Sequence, residues 1–262
     1  MVTNLYLRIL RRTFTLMIVL VAAACVAQDG MNDSAGGNVT RVLVAGATGG
    51  TGQHIVKDLI TQGYTVRAFV RDLERAQEKL GTGIEYAVGD VKDRASIDAA
   101  MDDVDAVISA IGAVRGDPAN TPEAVDYGGS KNLAEAAAAA GAKQFVMVSS
   151  AGVTQEDHFL NKMFLNVLNW KFKGEEALRN SGVPYTIIRP GGLLNEPPGT
   201  KELIFKQGDD KNFGSIPRAD VARLCVASLA IPDARRKTFE VISGDGPHTD
   251  NWAAQFAALQ AN

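Results

Sequence analysis

Short apolar segments alternate with stretches of helical periodicity from about residue 39 to the C-terminus. The apolar segments are rich in Val, Ile and Ala, which is typical of strands buried on both faces of a sheet. We predict strands at residues 41–45, 65–70, 84–88, 106–110, 144–149, 185–189 and 238–242. Helical patterns lie between them, at residues 53–60, 95–101, 132–140 and 219–230. The predicted fold class is therefore α/β, a Rossmann-type doubly wound parallel sheet with ligands beyond the carboxyl ends of its strands.

The first strand runs directly into a glycine-rich turn. Residues 41–52 read RVLVAGATGGTG and precede a helical pattern. Amide groups at a helix start have no intrahelical partner, and the helix dipole favours an anion there. We predict a loop that binds the phosphates of a dinucleotide, formed by Gly46, Thr48, Gly49, Gly50, Thr51 and Gly52. Because the spacing is GxxGxxG and not GxGxxG, a glycine-rich connection without a ligand is the alternative.

Charge and composition argue against several classes of function. The chain has 262 residues, a net charge of −3 and a sequence pI of about 5.7. This balance gives no electrostatic basis for nucleic-acid binding. The two cysteines, Cys25 and Cys225, do not make a disulfide framework. No spacing of His, Cys or carboxylate residues suggests a metal site.

The first 24 residues have the pattern of an export signal. Arg11 and Arg12 precede a short apolar run that ends in small residues before Cys25. The run resembles a bacterial lipobox, with a lipid on Cys25, and the paired arginines resemble a twin-arginine signal. We predict a signal peptide (1–24), a flexible tether (25–38) and one domain (39–262). The expected location is the periplasm or the membrane of a bacterium, or the cytoplasm if the segment is not a signal; an uncleaved membrane anchor is a further alternative.

Arg71 ends the second strand, where dinucleotide-binding folds distinguish their cofactors. A guanidinium there can pair with the 2′-phosphate of NADP. An acidic side chain, such as Asp72, would instead accept hydrogen bonds from the ribose hydroxyls of NAD. The sequence offers the basic residue first, so it favours NADP, although a solvated arginine is the alternative.

The next two strand ends supply further candidates for cofactor binding. Asp90 and Val91 follow the third strand, where an aspartate can accept from the exocyclic amine of adenine; Asp90 as a helix cap is the alternative. Ala110 and Gly112 follow the fourth strand and let a ribose lie against the backbone.

The fifth and sixth strand ends are expected near the nicotinamide. Ser149 and Ser150 are candidates to orient a substrate carbonyl, or they bond their own turn. Pro190 precedes two glycines and is expected to form a wall of the nicotinamide or substrate site. His158 is a weak candidate for a general acid.

Several of these segments together resemble the atypical short-chain dehydrogenase/reductase superfamily. They are GATGGTG at 46–52, VRD at 70–72, GD at 89–90, DYGG at 126–129, VSS at 148–150, YTIIRPG at 185–191 and IPRADVA at 216–222. The chain looks most similar to the NAD(P)H-binding, NmrA-like branch that also contains flavin and biliverdin reductases. The resemblance implies a Rossmann sheet with a small C-terminal substrate region, and NADP(H) as cofactor, with NAD possible.

One departure from the superfamily pattern concerns the YxxxK pair, in which the Tyr acts as the acid. The Lys position falls on Lys171, and the Tyr position falls on Val167, which cannot donate a proton. Lys171 is a candidate to bond the nicotinamide ribose, with a solvated helix lysine as the alternative.

These features predict an NADPH-dependent oxidoreductase that lacks the Tyr acid. Its acceptor is a small molecule, such as a flavin, a quinone or a carbonyl-like compound, because hydride transfer to such acceptors mainly needs two rings in position. The alternative is a non-catalytic redox sensor or scaffold of NmrA type that binds NADP(H). A sugar-nucleotide epimerase is a weaker interpretation, because it too would need the Tyr.

Overall fold

A computed structural model describes residues 39–209 and 214–262, which belong to one compact unit. Its strands are β1 (Arg41–Ala45), β2 (Thr65–Val70), β3 (Glu85–Val88), β4 (Ala106–Ser109), β5 (Gln144–Val148), β6 (Tyr185–Pro190), β7 (Gly192–Leu194), β8 (Leu203–Lys206), β9 (Ser215–Pro217) and β10 (Lys237–Ser243). Its helices are α1 (Gly50–Thr61), α2 (Leu73–Leu80), α3 (Arg94–Ala100), α4 (Ser130–Ala139), α5 (Phe159–Met163), α6 (Val167–Asn180), α7 (Arg218–Ala230) and α8 (Trp252–Ala258). A π-helical turn (Glu123–Gly129) precedes α4, and a 3₁₀ turn (Pro232–Ala234) follows α7.

The predicted Rossmann-type sheet is confirmed. In the described residues the main sheet has eight strands in the order β3-β2-β1-β4-β5-β6-β10-β8. All neighbours are parallel except β8, which pairs antiparallel with β10. The chain order reverses between β1 and β4, so the crevice for a ligand lies beyond the carboxyl ends of these strands.

The sheet is buried on both faces, which explains its continuous apolar strands. Val42 and Val44 of β1 face a cluster that includes Ile55 of α1 and Leu224 of α7. Leu43 and Ala45 face the other cluster, whose helical members include Ile97, Leu133 and Leu178 of α3, α4 and α6. Helices on both faces fix the start of α1 at the crevice.

Several elements differ from the predicted boundaries. The helix predicted at 132–140 begins at Ser130 and continues from the π-helical turn. The helix predicted at 95–101 begins at Arg94, because the Asp93 carboxylate accepts a hydrogen bond from the Ala95 amide, at 3.1 Å, and caps it. Capping of this helix by Asp90 is therefore wrong. In residues 39–209 and 214–262, no helix has the length and apolar character needed to cross a membrane.

Candidate functional site

Two glycines, one in the loop after β1 and one in the first turn of α1, stand where no side chain fits. Gly46 has φ +79°, and a Cβ there would stand 2.5 Å from the Ala110 carbonyl oxygen at the end of β4. A Cβ on Gly52 would stand 2.1 Å from the Gly46 carbonyl oxygen. Neither distance is compatible with a side chain, so these glycines let the turn and the helix pack closely against the strand end.

The start of α1 offers its amide groups to an anion. Gly49 precedes the helix, no side chain caps it, and the first turn contains no acidic residue. The first amides therefore have no intrahelical partner. The Thr48 carbonyl accepts from Gln53 Nε2 at 3.1 Å and from Lys79 Nζ at 3.2 Å. This glycine cradle and its free amides fit the diphosphate of a dinucleotide.

Arg71 and Asp72 have different surroundings at the end of β2. The Asp72 carboxylate accepts from the Arg75 amide at 3.0 Å and caps α2. Arg71 is exposed, and its charge contributes, after the hydrogen bond from Asn120, to the lowered pKa of the nearby Asp117 carboxyl. The basic side chain reaches solvent, where it can bind a phosphate, whereas the acidic one is engaged by its helix.

Asp90 and Val91 lie at the end of β3. The Asp90 carboxylate accepts from the Lys92 amide at 2.9 Å and closes its own turn. Val91 packs against the π-helical turn, because a Cβ on Gly129 would stand 2.6 Å from Val91 Cγ2. Their contact with adenine stays a prediction.

A small pocket lies beyond the carboxyl ends of β4 and β5. It is lined by Ser109, Ile111, Asp126, Ser130, Met147, Val148, Ser149 and Lys171. Lys171 and Ser149, both predicted as site residues, thus line the same pocket. Gly112 lies beside it, since a Cβ there would stand 3.6 Å from Asp126 Oδ1 and 3.8 Å from Lys171 Nζ.

The pocket contains an ion pair that the sequence reasoning missed. Lys171 Nζ is 2.7 Å from Asp126 Oδ1, and the Asp126 side chain is fully buried. The other carboxylate oxygen accepts from the Ala113 amide at 3.0 Å, which ties the π-helical turn to the loop after β4. Lys171 Nζ also lies 3.5 Å from the Ile111 carbonyl oxygen. A positive charge is therefore held in place at the sheet edge where the nicotinamide is expected.

Asp126 reaches this position through the packing of two helices. A Cβ on Gly174 of α6 would stand 2.4 Å from the Asp126 carbonyl oxygen, so that glycine lets α6 approach the π-helical turn. π-Helical turns are frequent at functional sites. The DYGG segment at 126–129 was the available signal, but the sequence did not show which side of the turn faces Lys171.

Ser149 and Ser150 make different contacts at the end of β5. The Ser149 hydroxyl donates to Glu175 Oε1 at 2.6 Å, so it is available to a ligand only as an acceptor. The Ser150 hydroxyl donates to the Ala151 carbonyl oxygen at 3.0 Å, which is the turn interaction expected as its alternative. Pro190 is buried at the end of β6, beside Val241 of β10, and it does not line this pocket.

A second group of buried charges lies behind Ser149. Arg189 Nη2 is 2.7 Å from Glu175 Oε2, and Arg189 Nη1 is 3.0 Å from Glu240 Oε1 and 2.8 Å from Asp209 Oδ1. Burial opposes the charge of Arg189, but the hydrogen bonds with Glu175 and Glu240 outweigh it and raise the pKa of the guanidinium above its usual value. Burial is also the main cause that raises the pKa of Glu240.

Among residues 39–209 and 214–262, no tyrosine or histidine takes the place of the missing Tyr acid in the pocket. Val167 is buried against Val153 and Leu168. Tyr127 stacks on Trp170, with ring centroids 6.0 Å apart, and does not line the pocket. His158 Nδ1 accepts from the Leu160 amide at 3.2 Å and caps α5.

The fold and the glycine cradle define a class of nucleotide-binding protein, and comparison with known proteins identifies the family. A family model described as NAD(P)H-binding matches residues 46–232. The chain belongs to this NAD(P)H-binding family, within the atypical short-chain dehydrogenase/reductase superfamily with its NmrA-like members. The predicted resemblance is thus confirmed.

Individual relatives agree with this assignment. An uncharacterized chloroplastic protein of Arabidopsis thaliana is 38% identical over 244 residues, covering 83% of this chain and 75% of that protein. Sanguinarine reductase of Eschscholzia californica is 36% identical over 261 residues, covering 83% and 95%. A putative NAD-dependent epimerase/dehydratase from Bacillus halodurans has a TM-score of 0.69 and 29% identity, covering 83% of this chain and 99% of that one. A short-chain dehydrogenase/reductase from Veillonella parvula in complex with NADP shares the fold, with a TM-score of 0.63, 20% identity and coverage of 81% and 98%.

The predicted location, export from a bacterium with a lipid on Cys25, is wrong. Several relatives are chloroplastic plant proteins, including a second one of A. thaliana, which is 37% identical over 215 residues and covers 78% of this chain and 76% of that protein. A basic segment before a short apolar run is not specific to one export pathway, which is why it misled the interpretation. Residues 1–38 lie outside the described residues, so their division at residue 24 stays a prediction.

Proposed function

We propose that this protein is an NADPH-dependent oxidoreductase that reduces a small conjugated or carbonyl-like acceptor without a Tyr acid. The observation that carries the proposal is the ion pair of Lys171 and buried Asp126, which lies in the pocket beyond β4 and β5. In a doubly wound sheet, this edge is where a dinucleotide extends from its diphosphate at α1. The pair therefore places a fixed cation where the reaction is expected.

The preference for NADP over NAD rests on Arg71. Its guanidinium is exposed to solvent, and the neighbouring Asp72 carboxylate caps α2. A planar guanidinium suits a phosphate group, and a carboxylate engaged by a helix is less available to ribose hydroxyls. The fold neighbour from V. parvula is in complex with NADP.

NADPH, when bound, supplies the hydride. Lys171 carries three N–H donors, and the Asp126 carboxylate and the Ile111 carbonyl lie within reach of its ammonium group. A remaining donor is available to a ribose hydroxyl or to negative charge that develops on the acceptor. Because Val167 cannot donate a proton, water that reaches the open side of the pocket supplies it.

The class of acceptor follows from Val167, which stands where a proton-donating Tyr would be. Reduction of an isolated ketone benefits from a positioned acid, whereas a flavin or a quinone needs chiefly that two rings are held together. One relative is named as a reductase of sanguinarine. We therefore propose a planar conjugated acceptor ahead of a simple aldehyde.

A redox sensor of NmrA type is the second candidate. Two observations favour it: Val167 occupies the position of the acid, and the only donor of Ser149 is engaged by Glu175. Such a protein would bind NADPH and NADP⁺ but would not consume NADPH with any acceptor.

The experiment that separates these functions is a turnover assay with full-length protein. NADPH binding is measured by fluorescence, and NADPH consumption is then followed with flavins, quinones and aldehydes. We expect turnover with at least one conjugated acceptor, and we expect Lys171→Met to lower kcat about tenfold or more through lost charge stabilisation. Lys131→Met is the matched control, because Lys131 is an exposed lysine paired with Glu135 on α4. NADPH binding without consumption across the panel would favour the sensor.

A further inference from the structure

The side chain of Arg218 lies beside the start of α1. Arg218 is the first residue of α7, which packs against α1. A Cβ on Gly50 would stand 2.9 Å from Arg218 Nε and 3.0 Å from its Cδ. Gly50 therefore leaves the room that this arginine occupies. The absence of a side chain at position 50 is thus explained by Arg218 and not by the geometry of the loop alone.

The hydrogen bonds of Arg218 leave one edge of its guanidinium free. Nη1 donates to the Leu193 carbonyl oxygen at 3.1 Å and to Asn195 Oδ1 at 2.9 Å. Both partners are neutral. Within residues 39–209 and 214–262, Nε and Nη2 have no hydrogen-bond partner, and the group has no carboxylate. Nε and Nη2 form the fork that binds a phosphate in bidentate geometry.

The charges beside the loop are positive, and a bound anion would offset them. The helix start carries partial positive charge, so a cation beside it is repelled unless an anion lies between them. The first turn of α1 supplies no acidic side chain. Lys79 Nζ lies 3.2 Å from the Thr48 carbonyl oxygen, which brings a second cation to the same loop. Two cations from different helices thus lie beside a helix start whose own first turn has no acidic residue.

We propose that Arg218 binds the diphosphate of the dinucleotide through its Nε–Nη2 edge. Its Nη1 meanwhile holds the segment after β6, at Leu193 and Asn195, so the arginine joins the phosphate site to the C-terminal region. This role is distinct from that of Arg71, which we assign to the 2′-phosphate. It depends on the NAD(P)H site of the family and not on the proposed turnover.

The test compares three ligands by calorimetry on full-length protein: NADPH, NADH and 2′-AMP, which has the 2′-phosphate but no diphosphate. We expect Arg218→Gln to weaken NADPH and NADH by the same factor, about tenfold or more, because both lose a charge-assisted hydrogen bond. Binding of 2′-AMP should stay within about twofold. Arg223→Gln is the control on the same helix, because Arg223 pairs with Asp220 and Asp250 and should leave all three affinities unchanged.

Two results would overturn the inference. One is an Arg218→Gln protein that binds NADPH and NADH as the wild type does; the other is an equal loss for 2′-AMP. If circular dichroism shows that the Arg218→Gln protein is not folded, Arg218→Lys is tested in its place. Lys keeps the charge but lacks the fork, so it should bind NADPH several-fold more weakly, and unchanged affinity would refute the role. If the wild-type protein binds NADPH but does not consume it, the proposed function is wrong and the inference about Arg218 is unaffected.

Discussion

Val167 and Lys171 lie one turn apart on α6, but their side chains have different surroundings. Val167 is buried in an apolar cluster, whereas Lys171 reaches the pocket and pairs with Asp126. A buried carboxylate without a cation is costly, so Asp126 and Lys171 stabilise each other as well as the site. The superfamily lysine is thus present with a carboxylate partner in place of a tyrosine.

Arg71 gives a prediction about cofactor choice. Arg71→Ala should weaken NADPH about tenfold, because a charge-assisted hydrogen bond to the 2′-phosphate is lost, and should leave NADH within about twofold. Titration of both nucleotides measures the ratio. Arg75→Ala, a neighbouring arginine on α2, is the control. A similar loss for NADH would contradict the assignment to the 2′-phosphate.

Gly52 gives a prediction about the loop. Gly52→Ala places a Cβ 2.1 Å from the Gly46 carbonyl oxygen, so the loop must shift. We expect a loss of stability of about 1–3 kcal/mol and a large loss of NADPH affinity. Denaturant unfolding and nucleotide titration measure the two effects. Gly83→Ala, where a Cβ meets nothing within 4 Å, should change stability by less than about 0.5 kcal/mol.

At the scale of elements, one aspartate joins the amino ends of three strands. Asp105 precedes β4, and its carboxylate accepts from the Thr40 and Arg41 amides at 2.8 and 3.0 Å and from Lys143 Nζ at 2.6 Å. Desolvation opposes ionisation, but the hydrogen bonds from Lys143, Thr40 and Arg41 outweigh it and hold the pKa of Asp105 well below its usual range. This end of the sheet is a stabilising clamp, and the ligand is expected at the opposite end.

Asp105→Asn should lower the free energy of unfolding by about 1–2 kcal/mol at pH 7, after allowance for the partial exposure of the clamp. Because the folded pKa is depressed, the contribution is fully present above the unfolded pKa of about 3.9 and is lost as the pH falls further toward the folded value. The difference from wild type should therefore shrink below about pH 4. Denaturant unfolding at several pH values tests this, with exposed Asp245→Asn as the control. A difference that does not depend on pH would exclude the ionic origin.

At the scale of the whole molecule, Arg189 connects parts of the chain that are distant in sequence. It lies in β6 and pairs with Glu175 of α6, Glu240 of β10 and Asp209 after β8. Glu175 in turn accepts the Ser149 hydroxyl at the pocket. The pocket wall and the C-terminal strands are therefore held by one set of buried charges.

Arg189→Met should cost about 3–5 kcal/mol, because it leaves buried Glu240 without its cation and leaves Glu175 with Arg179 alone. Adding Glu240→Gln should recover part of this loss, since the unpaired charge of Glu240 is then removed. Denaturant midpoints of both variants and of exposed Arg115→Met give the comparison. A loss no larger than that of Arg115→Met would show that the network contributes little to stability.

The sequence by itself determined the features that depend on neighbouring residues. Strand periodicity predicted the parallel sheet, and the glycines after β1 predicted the phosphate loop, because strand, turn and helix start are contiguous. The position of Arg71 at a strand end followed in the same way. Export could not be determined, because a short basic and apolar segment is not specific.

Only the tertiary structure decided which distant side chains meet. Asp126 reaches Lys171 because α6 packs on the π-helical turn, and Arg218 reaches Gly50 because α7 packs on α1. Ser149, after β5, meets Glu175 of α6. Helix periodicity shows which face is apolar but not which neighbouring helix it contacts. Contacts between side chains of distant elements are therefore visible only in the tertiary structure.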